Sequence, residues 1–335
     1  MLFDRLAALP VTLDGYRVER HEQAVTSGFT RVTTLVVMDG GGHTGTGEDV
    51  TYTATDHDGF PAGLPLAGSR TLAEQSELLD GRDLFAAAPQ MEASRDYRRW
   101  AFESAALDLA LRQAGTSLAA AAGRTARPVR FVLSTRADVE PWLAWDPALE
   151  FKLDPEPDWD EALIDTLAAT GKVRVLDFKA YYVGTPVDMT PDPVLYRTLA
   201  ERFPDAVIED AALQGECMEV LSGAVDRLSF DAPIHSLADV DALPVRVRWL
   251  NIKPSRFGTL QRLLECIEAC EERGIRMYGG GQFELGQGRR QIQTLASVFY
   301  PDTPNDVAPS PYNLGVPSDD LPRSPLPALD GIGFG

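Results

Sequence analysis

Four short hydrophobic runs in the second half of the chain each finish on a residue able to hold a metal or move a proton. They are Val173-Arg174-Val175-Leu176-Asp177, Ala206-Val207-Ile208-Glu209, Arg227-Leu228-Ser229-Phe230-Asp231 and Trp249-Leu250-Asn251-Ile252-Lys253. Their last residues lie 32, 22 and 22 positions apart. Each gap has room for one helix and two turns, so the runs read as successive strands of a parallel sheet. In a barrel of alternating strands and helices, all the strand ends meet on one face, where active sites sit. Three carboxylates and an ammonium then share one mouth. Carboxylates crowded in this way repel one another, and a divalent cation is the usual remedy.

At 335 residues the chain accommodates one barrel and a smaller domain. A net charge of −19 argues against nucleic acid or an anionic membrane as partner. No apolar run reaches the ~18–20 residues of a membrane span. The opening Met1-Leu2-Phe3-Asp4-Arg5 lacks the apolar core of a signal peptide, so a cytoplasmic protein is expected. Cys217, Cys266 and Cys270 lack zinc-ligand spacing and read as reduced packing thiols.

The first third reads as α+β. Segments 11–20 and 31–38 are rich in β-formers and read as strands joined by a polar loop at 22–28, and 45–49 leads into a third strand at 50–53. Thr71, with Glu74 three residues on, has the spacing of a capping box for a helix ending near Leu79. Segment 97–114 has a wide apolar face dotted with small residues, the mark of a closely packed helix. Strands at 129–134 and 149–153 and helices at 159–170, 192–203 and 259–273 follow, with Asp192-Pro193 as a helix start and Gly171 and Gly274 as stops. Composition changes near 124–128, which divides the chain into 1–125 and 126–310. The proline- and glycine-rich 310–335 is expected to wrap back over the body.

Asp177, Glu209 and Asp231 are suited to one side of an octahedral Mg²⁺ shell. The plain alternative is that each caps the helix that follows, and Asp231, before Ala232-Pro233, also suits a simple turn. Asp210 would point away from the mouth if the strand alternates. A divalent cation beside Lys253 would disfavour its ammonium form and suit it to act as a base, whereas an ordinary lysine would be exposed or paired. Lys152 ends another apolar run, and Lys179 follows Asp177 by two, on the same face of an extended chain. The glycine-dense 279–290 permits close backbone approach, with Glu284 and Arg289 in reach of a substrate, but it lacks a phosphate-loop pattern. None of the four histidines falls in a ligand-spaced pair.

With these motifs in view, the chain resembles the enolase superfamily, in the branch of muconate-lactonizing enzymes and o-succinylbenzoate synthases. The likeness rests on Gly45-Thr46-Gly47-Glu48, the helix from Ala101 to Ala110, and Val207-Ile208-Glu209-Asp210. More specific still are Asn251-Ile252-Lys253-Pro254-Ser255-Arg256-Phe257-Gly258 and Phe283-Glu284-Leu285-Gly286-Gln287-Gly288-Arg289. The resemblance implies an α/β protein, a (β/α)7β TIM-like barrel behind an N-terminal α+β capping domain. It implies Mg²⁺ on Asp177, Glu209 and Asp231, and Lys253 as an acid/base group. The chemistry implied is proton abstraction next to the carboxylate of a small acid, with the metal stabilising the enediolate.

The chain departs from the family's pattern in two places. Where the second strand should end Lys-x-Lys it reads Lys152-Leu153-Asp154, and where the third should end Asp-x-Asn it reads Asp177-Phe178-Lys179. Lys179 then either takes over the lost lysine's role, alongside Lys152 and Lys253, or salt-bridges the carboxylates in place of the metal and leaves a non-catalytic binding protein. Among reactions, dehydration in the manner of o-succinylbenzoate synthase leads, then racemisation or epimerisation, then cycloisomerisation. Loop 22–29 would close over the mouth, with Thr26, Ser27 and Phe29 as contacts. A small-molecule carboxylate is the expected partner, and a homo-oligomer is compatible with a barrel of this kind.

Overall fold

Two glycines set how the first part of the chain packs. The computed structural model describes all residues except Thr26, Ser27, Ala62 and Pro186. The first strands are β1 (Pro10–Leu13), β2 (Gly15–Ala24), β3 (Thr30–Gly40), β4 (His43–Asp49) and β5 (Gly68–Thr71). β2, β3 and β4 form an antiparallel sheet in that order, and β1 pairs with β5. The helix Ser94–Gln113 lies against β4. A Cβ on Gly47 would stand 2.0 Å from the carbonyl oxygen of Ala101, and one on Gly45 2.3 Å from the backbone nitrogen of Leu109. Only glycine admits this approach. The glycine-rich stretch is therefore itself the strand, and the strand expected at 50–53 does not form. Asp49 ends β4 instead, accepting hydrogen bonds from the Thr51 backbone N–H and hydroxyl at 2.9 and 2.7 Å.

The strand–helix rhythm of the second part gives β6 (Leu133–Thr135), β7 (Phe151–Leu153), β8 (Val173–Asp177), β9 (Val207–Glu209), β10 (Leu228–Ser229), β11 (Trp249–Ile252) and β12 (Arg276–Gly279). β6 to β10 form one parallel sheet in sequence order, and β11 and β12 pair in parallel. The backbone N–H of Asn251 donates to the carbonyl of Phe230 at 3.1 Å, joining β10 to β11. Bridges from Asn305 to Phe131 and from Asp306 to Gly280 close the ring between β12 and β6. The Asn305 side chain pins that closure, accepting from the Gly279 N–H at 2.7 Å and donating to the carbonyls of Arg130, Tyr300 and Thr303. β6 is shorter than the strand expected at 129–134, because Val129 and Phe131 are spent on single bridges to Leu326 and Asn305. This is a TIM-like barrel of the (β/α)7β kind behind an N-terminal α+β cap.

Buried polar groups join the two parts. Glu48 accepts backbone N–H bonds from Leu285, Gly286 and Gly288 at 2.7 to 3.1 Å, at the start of the helix Gln287–Phe299. A helix N-terminus favours such a carboxylate. Arg31, fully buried, donates to the carbonyls of Thr51 and Gln282 at 2.8 and 3.0 Å. The far end of the chain returns to the long helix: Phe334 is buried edge-on to Trp100, and its N–H donates to Asp108 at 2.8 Å. Among the described residues no helix is long and apolar enough to cross a membrane.

Candidate active site

The barrel strands β7 to β12 deliver their chemical groups to the same mouth. Lys152 comes from the middle of β7, whose three residues are all buried. Asp177 and Glu209 end β8 and β9 in matching register, and Ser229 of β10 lies opposite Glu209. Asp231 and Lys253 stand just beyond β10 and β11, and Tyr278 lies opposite Asn251 on β12. Lys152 is 1% exposed and Lys253 8%, so these are interior charges that must be answered by partners.

The partners form two groups. In the first, Lys152 Nζ lies 2.9 Å from Asp177 Oδ2 and 2.6 Å from Glu209 Oε1, with Asp306 at 3.6 Å. Glu209 also accepts from Asn251 Nδ2 at 3.1 Å and from the Tyr278 hydroxyl at 2.5 Å. Lys179 pairs with Asp177 and, at 3.1 Å, with Asp154. In the second group, Asp231 accepts from Lys253 at 2.7 Å, Arg256 Nε at 3.0 Å and the Tyr182 hydroxyl at 2.9 Å. The ammonium that joins the strand-end carboxylates is therefore that of Lys152. Lys179, in which the sequence suggested that role, bridges Asp154 and Asp177 instead.

The electrostatics follow from these contacts. Burial works against the Lys152 ammonium, but Asp177, Glu209 and Asp306 outweigh it and hold its pKa well above the usual lysine range. Burial likewise opposes the Asp177 carboxylate, and Lys152 and Lys179 overcome it, so Asp177 stays ionised well below the usual range. Glu209 goes the other way: burial, with Asp177 and Asp231 adding to it, pushes its carboxyl up to about 8 against the pull of Lys152. At Lys253, burial would lower the pKa, but Asp231 raises it above the ordinary value, so this pairing favours the ammonium form.

Backbone strain collects here as well. Among the described residues, the non-glycine residues with positive φ are Lys179 (54°), Asp210 (50°) and Phe283 (55°), which follow β8, β9 and β12. A left-handed conformation costs a non-glycine residue about 1–2 kcal/mol, and such strain gathers at functional sites. At Asp210 it breaks the alternation that would have turned the side chain away. Its carboxylate faces the mouth, with an oxygen within 4.8 Å of oxygens from Asp177 and Glu209. Asp210 is also structural, since its two oxygens accept the backbone N–H groups of Asp231 and Ala232 at 2.8 and 3.0 Å.

Asp177, Glu209 and Asp210 are the acidic group whose oxygens converge; Asp231 stands outside it, engaged by Lys253 and Arg256. The donor set does not fit a divalent cation as arranged. The position within reach of both Asp177 and Glu209 holds the Lys152 Nζ, and every oxygen of Asp177, Glu209, Asp210 and Asp231 has a donor. A divalent ion about 4 Å from that ammonium would meet a repulsion of roughly 8 kcal/mol at an effective dielectric of about 20.

The residues named for substrate contact lie to one side. Glu284 and Arg289 are both buried and paired at 3.1 Å, and Glu284 accepts from the Gln282 N–H at 2.7 Å. A Cβ on Gly281 would stand 2.7 Å from Glu284 Oε2, and one on Gly280 2.4 Å from Asn251 Oδ1, so the glycines let this loop press onto the mouth. Phe29 meets Phe283 edge-on at 5.7 Å, bringing the 22–29 loop to the same loop. Thr26 and Ser27 lie outside the described residues. Sequence reasoning missed Arg256, Tyr182, Tyr278 and Asn251 as site residues. Arg256 follows Lys253 by three along the short helix Pro254–Phe257, a spacing that puts both on one face; nothing local marks Tyr182.

Comparison with known proteins agrees with this architecture. A crystal structure of an enolase-superfamily member from Listeria innocua Clip11262 matches with a TM-score of 0.70 at 19% identity, over 97% of this chain and 94% of that one. Muconate lactonizing enzyme from Pseudomonas fluorescens, complexed with muconolactone, matches with a TM-score of 0.70 at 14% identity, over 97% and 96%. Dipeptide epimerase from Enterococcus faecalis V583 matches with a TM-score of 0.66 at 16% identity, over 97% and 99%. By sequence, o-succinylbenzoate synthase of Bacillus subtilis (strain 168) is 38% identical over 61 residues, which span 18% of this chain and 16% of that protein. Residues 4–121 match the N-terminal domain, and residues 125–314 the C-terminal domain, of the family described as domain of unknown function DUF8230. The chain belongs to that DUF8230 family, and it is built on the enolase-superfamily fold.

Proposed function

We propose that the chain is an enzyme, a lyase or isomerase that moves a proton at the carbon next to the carboxylate of a small acid. The observation that carries this is the convergence of Lys152, Lys179, Lys253 and Arg256 on one buried mouth of a barrel whose backbone is strained at that mouth and nowhere else among the described non-glycine residues. Cationic donors held in a low-dielectric site stabilise negative charge as it develops on a substrate carboxylate. Lys253, kept as an ammonium by Asp231, suits that task. Burial opposes the Lys179 ammonium, but Asp154 and Asp177 hold its pKa above the usual lysine range, so Lys179 adds positive charge at the mouth and stands as a proton donor rather than a base. Dehydration in the manner of o-succinylbenzoate synthase is the favoured reaction, supported by the short sequence match to that enzyme. Racemisation or epimerisation and cycloisomerisation follow, by analogy of fold.

A second reading adds magnesium. The converging oxygens of Asp177, Glu209 and Asp210 favour it, and these residues would hold the ion, which would act as a Lewis acid toward the substrate carboxylate. The Lys152 ammonium stands against it.

Incubating the protein in deuterated water with a panel of small carboxylates, including muconolactone and a dipeptide such as L-Leu-L-Tyr, tests the main reading. Proton NMR should show deuterium entering at the carbon next to a carboxylate, or elimination there, and Lys253→Ala should lower the rate by about 100-fold or more. A folded protein that exchanges and eliminates nothing across the panel would count against an enzyme.

A further inference from the structure

We propose that this barrel carries its cation covalently: the ammonium of Lys152 takes the place of a divalent metal ion, and the site works without one. The geometry points to this in three ways. Lys152 Nζ lies 2.9 Å from Asp177 and 2.6 Å from Glu209, so it sits where one cation would touch both strand-end carboxylates. A metal in contact with the same oxygens at about 2.0–2.1 Å would collide with it. Lys152 is itself buried, 1% exposed, so its ammonium is an interior charge held by these carboxylates rather than by solvent. The other carboxylates are already engaged. Asp231 is held by Lys253, Arg256 and Tyr182, and Asp210 by two backbone N–H groups, so neither is free to complete a metal shell.

Asn251 Nδ2 and the Tyr278 hydroxyl both donate to Glu209, and Tyr278 stands beside Ser229 at 3.0 Å. These donors fix the Glu209 carboxylate in the orientation in which it meets the Lys152 ammonium. Lys179 supplies a further positive charge to Asp177. The inference concerns the resident cation alone, and it stands whether or not the chain proves to turn over a substrate.

The test is metal binding by the full chain after chelator treatment. Mg²⁺ is titrated by calorimetry and Mn²⁺ by electron paramagnetic resonance, on wild type, Lys152→Met and Lys152→Arg, with thermal unfolding measured in parallel. The expected result is no saturable site on wild type or Lys152→Arg, and an unfolding midpoint that neither chelator nor Mg²⁺ shifts. Lys152→Met should gain a single saturable site and a midpoint that rises with Mg²⁺. A saturable site on wild type that Asp177→Asn removes overturns the proposal. A folded Lys152→Met that binds no ion also overturns it, because the ammonium would then not be what fills the position. If Lys152→Met folds only when Mg²⁺ is present, the ion has replaced the lysine and the proposal stands. If it folds under neither condition, the wild-type titration decides alone.

Discussion

Glu48 and Glu209 are both buried carboxylates, yet they are answered in opposite ways. Glu48, at the seam between cap and barrel, is met by the backbone N–H groups of Leu285, Gly286 and Gly288. Glu209, at the mouth, is met by an ammonium, an amide and a phenol, all on side chains. Burial raises the pKa of both. The difference separates two uses of a buried charge. Backbone donors cannot be moved without moving the fold, so the seam is a fixed joint. Side-chain donors can be repositioned and exchanged, so the mouth is where chemistry or ligand exchange has room to occur.

The largest test of this contrast is at the mouth. Lys152→Ala leaves Asp177 and Glu209 buried beside each other without their shared cation, and should cost about 3–5 kcal/mol in urea unfolding. A loss under about 1 kcal/mol would mean that water already reaches the pair and the mouth is not dry. At the seam, Glu48→Ala leaves three N–H groups with no acceptor and should cost on the order of 3 kcal/mol, whereas Glu48→Gln keeps an acceptor oxygen and should cost about 1 kcal/mol. If the two Glu48 variants are equal, the joint depends on charge and not on hydrogen bonding.

The seam also makes a prediction in pH. The folded-state pKa of Glu48 is raised above 4.5, chiefly by burial with Glu284 adding to it. A carboxyl raised on folding binds its proton more tightly in the folded state, so its stabilising contribution is present below pH 4.5 and fades as pH rises through the folded value. The stability of wild type relative to Glu48→Gln should therefore fall with rising pH over that window, and a flat difference would contradict the assigned direction. The smallest effect is a control far from both regions. Thr71→Ala removes the capping box with Glu74 and should cost about 1 kcal/mol while leaving the seam and mouth unchanged, as read by unfolding and metal titration together.

The strand ends were legible because period and spacing report topology: Asp177, Glu209 and Lys253 close apolar runs at barrel intervals, and the structure places all three at one mouth. The capping box at Thr71 and the Asp192-Pro193 helix start were legible because their chemistry is local. What could not be read was whatever depends on a single dihedral or on distant partners. Asp210 faces the mouth because of one left-handed φ. Lys152 takes the central position, and Lys179 the flanking one, because Asp154 rather than a lysine ends the β7 segment and draws Lys179 to itself. The shift of the third cap strand from 50–53 to β4 follows from a helix that needs glycine beneath it, a demand set some 50 residues away.

Phe334 and Trp100 share one core although the Phe334 N–H and its acceptor on Asp108 are separated by 226 positions. On a ribosome, therefore, the cap's long helix would emerge early and wait, with part of its apolar face uncovered, until the barrel had been synthesised. The order of synthesis puts the cap before the barrel yet leaves it to be finished after the barrel, and until then its exposed Trp100 face is a natural point for chaperone capture.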